Sequence, residues 1–510
     1  MRKALIATGI ATGAMLLLPT GASASTSAGP ADGLGLGALP KVAQVDPRFQ
    51  SYNVEMVEVT GGRFWAPYGG PPGELHRMRP PLDLSASRIR ALAKQLGPAY
   101  VRVSGTWANS TYLPLEGERL SAIPAGFNQV LTRDQWRGVI AFAKAVDAKI
   151  VTSFPSSEGT RAPDGSWTTD QAQRLIDLTR EAGGSIYGAE LFNEPTVPPF
   201  GGFPKGYSAS GFTRDFRIFR EWARKAAPDL KLIGPGGASE GTMLKHTPET
   251  AARGFLSSDD LLKDNPGSLD IVSYHFYGAG SPRCGASPLG LKETALTPAW
   301  LDLTLSDYAF YAALRDRFEP GKPMWLNETA QAACGGAPWA STFLDSFRYL
   351  NQLGALAQKG VQVVAHNTLA ASDYGLIDYD TMMPRPNYWA AVLWRRLMGS
   401  TVLASPQSPA ADLRLYAHCL AGQPGGVALL ALNLGGTPQS LAVGRGATGW
   451  VMRGEPLDSP HVTVNGASPA MDGRGRLSAM KGRPVAGALD LPGQSIAFVA
   501  VKGANNPACR

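Results

Sequence analysis

The chain is sparing with charge, cysteine and histidine. Only 17% of its 510 residues are Asp, Glu, Lys or Arg and 44% are hydrophobic, which excludes a disordered or fibrous protein and allows a large core. Four cysteines are too few for a small disulfide scaffold, and no two stand in a C-x-x-C spacing. Six histidines include no H-E-x-x-H pair, so a dedicated zinc site would need ligands gathered from distant residues. No cofactor is expected. Beyond the N-terminus no run reaches the roughly 20 apolar residues that a membrane span requires. No period of roughly 20 to 50 residues repeats, which argues against a solenoid or propeller. The net charge of +7 permits an acidic partner, but the basic residues form no recognisable run, and nucleic acid is not implied.

What is present begins with an export leader. Met1, Arg2 and Lys3 form a basic start, Ala4 to Pro19 an apolar stretch broken by Gly9, Thr12 and Gly13, and Ala22, Ser23 and Ala24 a small-residue cleavage site. Residues 1–24 are therefore expected to be removed and the mature chain to be secreted, with a flexible lead-in to about residue 48. In an oxidising compartment the even set Cys284, Cys334, Cys419 and Cys509 is expected to pair, with three connectivities open on arithmetic alone.

From about residue 49 short β-branched or aromatic runs alternate with amphipathic helical patterns. The eight runs are Ser51 to Val57, Tyr100 to Ser104, Lys149 to Phe154, Gly188 to Phe192, Lys231 to Gly234, Asp270 to His275, Met324 to Asn327 and Val361 to His366. Helical spacing recurs between them, as in Asp134 to Val146, Phe212 to Lys225, Leu303 to Phe318 and Thr342 to Lys359. This alternation predicts a (β/α)8 barrel over residues 49–398. Over 399–510, runs such as Leu413 to His418, Val427 to Leu432 and Ser495 to Val501 are separated by Gly, Pro and Asn, predicting an antiparallel β-sandwich.

Barrels of this kind carry their sites at the C-terminal ends of the strands. Two glutamates are placed there: Glu194 closes the fourth run in Leu191-Phe192-Asn193-Glu194-Pro195, and Glu328 closes the seventh in Trp325-Leu326-Asn327-Glu328-Thr329. Singly, either can be a turn or capping residue. Jointly they suit retaining glycoside hydrolysis, in which one carboxylic acid protonates the leaving oxygen while a carboxylate about 5 to 5.5 Å away attacks the sugar. Asn193 can donate to a sugar hydroxyl. His275 and Tyr277 end the sixth run, where one of them can hold Glu328 ionised or both can simply pack. Asn109 and Asn327 have the N-x-S/T form, and Asn327 is expected to stay unmodified inside its strand.

These motifs, with Asp46-Pro47-Arg48-Phe49, Leu96-Gly97-Pro98-Ala99-Tyr100-Val101-Arg102, Gly105-Thr106, Gly335-Gly336-Ala337-Pro338, Asp373-Tyr374-Gly375 and Leu413 to Cys419, resemble the heparanase-like glycoside hydrolases of family 79. Those enzymes are β-glucuronidases acting on uronic-acid glycans. The resemblance implies Glu194 as general acid/base and Glu328 as nucleophile. It implies that Tyr374 and the backbone around Gly335 receive the sugar carboxylate, and that Asn193, Thr106, His275 and Tyr277 line the site. It also implies a Cys419 to Cys509 bridge and an early strand near Ala43 to Val45 joining the sandwich. Cys334 departs from the family's usual glycine, and with Cys284 just beyond Tyr277 the two can bridge the loops after the sixth and seventh strands. Gly105 to Val130 leaves no room for the excised linker of mammalian heparanase, so a single-chain enzyme is expected. The expected substrate is an acidic polysaccharide or glucuronide and the expected state a monomer. Two other readings are a retaining barrel hydrolase of neutral glycosides and a non-catalytic acidic-glycan-binding protein.

Overall fold

The computed structural model describes residues 33–71, 73–285, 290–473, 475–478 and 480–510, so the expected leader lies outside the described residues. Eight parallel strands close into a barrel: Gln50–Glu55, Ala99–Ser104, Ala148–Ser153, Ile186–Glu190, Lys231–Ala238, Ile271–Tyr277, Met324–Ala330 and Val363–His366. Each pairs with the next, and the eighth pairs with the first. The amphipathic segments form the expected helices, among them Arg133–Ala145, Ala209–Ala226, Leu303–Phe318 and Phe343–Gln358.

Strand period fixes what fills the barrel. Alternate residues face inward, and Tyr100, Val151, Ile233, Ile271, Trp325 and Val363 form an apolar plug to which six different strands contribute one side chain each. Two residues further along, the inward layer turns polar. Arg102 follows Tyr100, Ser273 follows Ile271, and both bond Glu190. Two further steps along the sixth strand bring His275 and then Tyr277 to the mouth.

The second sheet is antiparallel and has eight strands. Lys41–Gln44 pairs with Met398–Leu403, which continues through Leu413–Leu420, Val427–Asn433 and Ser495–Val501 to the long strand Gln439–Arg453. The early segment thus joins this sheet, as the family resemblance implies. Gln439–Arg453 also pairs with Arg483–Leu491, its register shifting twice. Both faces of the sheet are covered. Val427, Leu429 and Ala431 enter the sheet's own core with Val485 and Leu491, while Ala428, Leu430 and Leu432 pack into the core shared with the barrel helices. That explains why Val427–Asn433 reads as one apolar run rather than an alternating one.

Candidate active site

The structure moves both glutamates relative to the strand ends expected for them. The fourth strand stops at Glu190, and Glu194 sits in the following turn with a left-handed φ of 48°. Such a conformation is strained for a non-glycine residue and needs support from its surroundings. Asn109 supplies it: its Oδ1 accepts from the Asn193 N–H at 3.0 Å and its Nδ2 donates to the Asn193 carbonyl at 2.9 Å. The seventh strand instead runs past Glu328 to Ala330, so Glu328 lies inside it, opposite His275. Register shifts at Tyr274/His275 and between Leu326 and Thr329 re-aim these side chains, as bulges near sites commonly do.

The result is a tight cluster. Oxygens of Glu194 and Glu328 and a ring nitrogen of His275 lie within 4.8 Å of one another. Glu328 is buried, and its oxygens accept from the Tyr277 hydroxyl at 2.6 Å and Arg102 Nη1 at 2.7 Å. Burial alone would raise its pKa, but the charges of His275 and Arg102 and these two donors bring it below the usual carboxylate value. Glu194 keeps 16% of its side chain exposed and lies 3.1 Å from His275 Nδ1. Burial and the nearby Glu328 raise its pKa against the pull of His275. His275 is fully buried; desolvation opposes its charge, yet Glu328, Glu190 and Glu194 outweigh that and push it up to about 10. The two carboxyls are therefore biased toward opposite protonation states at one pH. These three side chains also have a spacing that a metal ion could use, but both Glu328 oxygens already have partners and Arg102 supplies a positive charge beside them.

Of the other expected residues, Asn193 is buried, with Oδ1 accepting from Arg102 Nη2 at 2.8 Å and Nδ2 left without a partner among the described residues. Tyr277 bonds Glu328 directly, whereas His275 bonds Glu194 and stands 3.7 Å from Glu328. The Tyr374 hydroxyl reaches this network through Asn367, whose Nδ2 approaches the hydroxyls of Tyr374 and Tyr277 at 3.1 Å and Glu55 Oε1 at 3.0 Å. Gly335 (φ 84°) and Gly336 (φ 92°) form the adjoining turn, and a side chain on Gly335 would collide with Ser372 and Trp65. Cys334 is bonded to Cys284 and Cys419 to Cys509. Thr106 opens the turn Thr106–Ser110 and lines a neighbouring cavity. Asn109 is fully buried and committed to backbone contacts, so its sequon has no exposed acceptor in the folded chain; Asn327 is buried as well.

Several residues of the site escaped the sequence reading: Arg102, Glu190, Glu55 and Asn367. Arg102 joins Glu190 Oε2, Glu328 Oε2 and Asn193 Oδ1 with three of its nitrogens. Its signal was available, since an arginine within the apolar run Tyr100 to Ser104 requires buried partners. Glu55 is buried, and desolvation followed by the nearness of Glu328 raises its pKa well above the ordinary value.

No family model matches the chain. Among curated proteins it is 27% identical to mouse heparanase, with 91% of this chain and 92% of that protein covered. It is 26% identical to heparanase-like protein 1 of Arabidopsis thaliana, covering 69% of this chain but only 65% of that protein. It is also 26% identical to the baicalin-β-D-glucuronidase of Scutellaria baicalensis, covering 69% of each. Solved structures with the same fold include a 4-O-α-L-rhamnosyl-β-D-glucuronidase from Fusarium oxysporum (TM-score 0.62, 14% identity, 91% of this chain and 99% of that one). Another is the family 51 arabinofuranosidase of Xanthomonas axonopodis pv. citri (TM-score 0.60, 15% identity, the same coverages). The heparanase-like resemblance read from the sequence is thus borne out along most of the chain.

Proposed function

We propose that this heparanase-like chain is a retaining glycoside hydrolase that cleaves β-glucuronosyl linkages. The observation that carries the reading is the approach of Glu194 and Glu328 oxygens to within 4.8 Å with opposed protonation biases. That close approach supports a double displacement, since the carboxyl groups of an inverting pair stand about 6.5 to 9.5 Å apart.

In the first step ionised Glu328 attacks the anomeric carbon while protonated Glu194 gives its proton to the departing oxygen. This leaves a glycosyl-enzyme ester and a free alcohol or phenol. In the second step Glu194, now a carboxylate, takes a proton from water, whose oxygen displaces Glu328. Arg102 and Tyr277 hold Glu328 ionised and oriented before attack and favour its return to a carboxylate when water displaces it. The unpartnered Nδ2 of buried Asn193 is available to a sugar hydroxyl. The Tyr374 hydroxyl and the N–H groups of the Gly335–Gly336 turn offer donors to the sugar carboxylate, which favours a glucuronide over a neutral glycoside. The leader-like N-terminus and two disulfides fit an exported enzyme.

Replacing Glu328 with Gln is expected to abolish release of a chromophore from an aryl β-glucuronide while the thermal transition stays cooperative. Wild-type protein should form the β-anomer of glucuronate first, as read by proton NMR. Near wild-type turnover by Glu328→Gln, or initial formation of the α-anomer, would overturn the mechanism.

A further inference from the structure

The fifth strand leads into a segment that ties the site to two buried carboxyls the proposed reaction does not use. Ser239, at a left-handed φ of 50°, donates its N–H to the His275 carbonyl at 2.9 Å, and its Oγ accepts from the Tyr277 N–H at 3.0 Å. Met243 of the same segment packs against the cluster that holds Tyr277 and Tyr374. A residue other than glycine keeps such a conformation only where its surroundings impose it. Glu240 and Asp307 supply that constraint.

Glu240 is buried. Its Oε1 accepts from the Ser258 N–H at 2.8 Å, and its Oε2 meets Ser258 Oγ and, at 3.1 Å, the Tyr311 hydroxyl. The same tyrosine oxygen accepts from the Glu240 N–H at 3.3 Å. Asp307 is fully buried on the helix Leu303–Phe318 and accepts from Thr242 Oγ1 at 3.2 Å and from the Gly241 N–H. All of these partners are neutral. On the helix Ser258–Lys263, Asp260 adds an anion, itself paired with Lys263 at 2.5 Å. Tyr274 of the sixth strand stands near Asp307, and neither its hydroxyl nor Asp307 Oδ2 has a partner among the described residues. Burial, which the hydrogen bonds only partly offset, raises Glu240 to about 7 and Asp307 well above its ordinary value. A charge on Glu240 would stand in a dry space beside a second acid, and water is the more favourable place for it.

Resting on the glucuronidase reading, we propose that Glu240, backed by Asp307, is a positioning residue whose proton holds the site together. Protonated, it keeps Ser239 against the sixth strand, so that His275 and Tyr277 stay beside Glu194 and Glu328. Ionised, it turns to solvent and draws Ser239 and Met243 away from them. The closed state is complete in acid and is lost as pH rises through about 7, a fall separate from any that Glu194 causes.

The test follows release of fluoride from β-glucuronyl fluoride, whose leaving group departs without a proton, so that the acid role of Glu194 does not enter kcat/KM. Wild type should lose about tenfold in kcat/KM between about pH 6 and about pH 8, the effect of one proton titrating midway. Glu240→Gln, which keeps the shape and hydrogen bonds of the neutral acid, should lose less than about twofold over the same range. Hydrogen exchange over residues 239–244, corrected for the effect of pH on free amides, should quicken at about pH 8 in wild type and stay slow in Glu240→Gln. Parallel profiles, the result expected if Glu240 only stabilised the fold, would overturn the inference while fluoride release leaves the glucuronidase reading standing. So would wild-type exchange over this segment no faster at about pH 8 than at about pH 6. Failure of wild type to release fluoride at any pH would overturn that reading and the inference together.

Discussion

Arg102 is the side chain that reconciles the site with its burial. It is 2% exposed and faces the carboxylates of Glu190 and Glu328, the first of which it holds well below the usual range against the effect of burial. Removing it would strand two buried anions, and breaking a pair of this kind costs about 3 to 5 kcal/mol. Arg102→Met is therefore expected to lower the melting temperature steeply as well as kcat, whereas Arg102→Lys should keep more stability yet lose activity, since an ammonium cannot reach three acceptors in one plane. The pH profile separates the two glutamates of the pair. On the proposed mechanism activity requires Glu328 ionised and Glu194 protonated, so Glu328 is expected to set the acid limb of kcat/KM below the usual carboxylate value and Glu194 the alkaline limb above it. Tyr277→Phe removes a donor to ionised Glu328 and should move the acid limb upward, leaving the alkaline limb in place. Glu194→Gln should erase the alkaline limb and spare substrates whose leaving group departs without a proton. An acid limb unmoved in Tyr277→Phe would remove Tyr277 from its role.

At the level of elements, periodicity located the eight strands and the outer helices, most of which have a wet face and a dry one. It read even the dry helix Phe343–Gln358, as Thr342 to Lys359, and missed Pro386–Leu397. Every residue from Phe343 to Ala357 is buried, since that helix is covered by barrel and sheet, with Asn351 Oδ1 accepting from Arg414 at 2.9 Å and Tyr416 at 2.7 Å. The helix Pro386–Leu397 is nearly as enclosed, which hid its pattern. Strand bulges are equally silent in a sequence, so the pairing of Glu328 with His275 was legible only as two residues near one rim. The two disulfides divide along the same line. Each closes a long loop, 50 residues for Cys284 to Cys334 and 90 for Cys419 to Cys509, and each is expected to stabilise by about 4 kcal/mol on the chain-entropy account. They differ in what they hold. Cys334 directly precedes the Gly335 turn beside Trp65 and Ser372, whereas Cys509 ties the terminus back to the antiparallel sheet. Cys334→Ser should raise KM for a glucuronide along with its loss of stability. Cys419→Ser should lower the melting temperature with kcat and KM unchanged. Equal kinetic effects of the two would show that the turn does not depend on its staple.

Across the whole molecule, the buried titratable groups set how stability responds to pH. Burial raises Glu58 to about 8 and Glu240 to about 7, and raises Asp307 well above its ordinary value. Each of these carboxyls is favoured protonated in the folded chain, so its contribution is complete below the unfolded value, 4.5 for the glutamates and 3.8 for the aspartate, and is lost as pH rises through the folded one. Burial lowers His366 and His418 to about 4, and these act oppositely, adding stability as pH rises from there to the unfolded histidine value of 6.5. Between about pH 4.5 and 6.5 the two sets partly cancel. Above that window only losses remain, because His275, pushed up to about 10 by the surrounding carboxylates despite its burial, also releases its stabilising proton as pH climbs. Each such group contributes a slope on the order of 1.4 kcal/mol per pH unit while it titrates in one state only. The melting temperature is thus expected to be highest near about pH 4.5, to fall gently to about pH 6.5 while two histidine gains offset part of three carboxyl losses, and to drop more steeply from there to about pH 8. Scanning calorimetry over that range is the measurement; a melting temperature that holds level or climbs through pH 8 would mean that Glu58 and His275 are not the protonated groups the folded interior makes them.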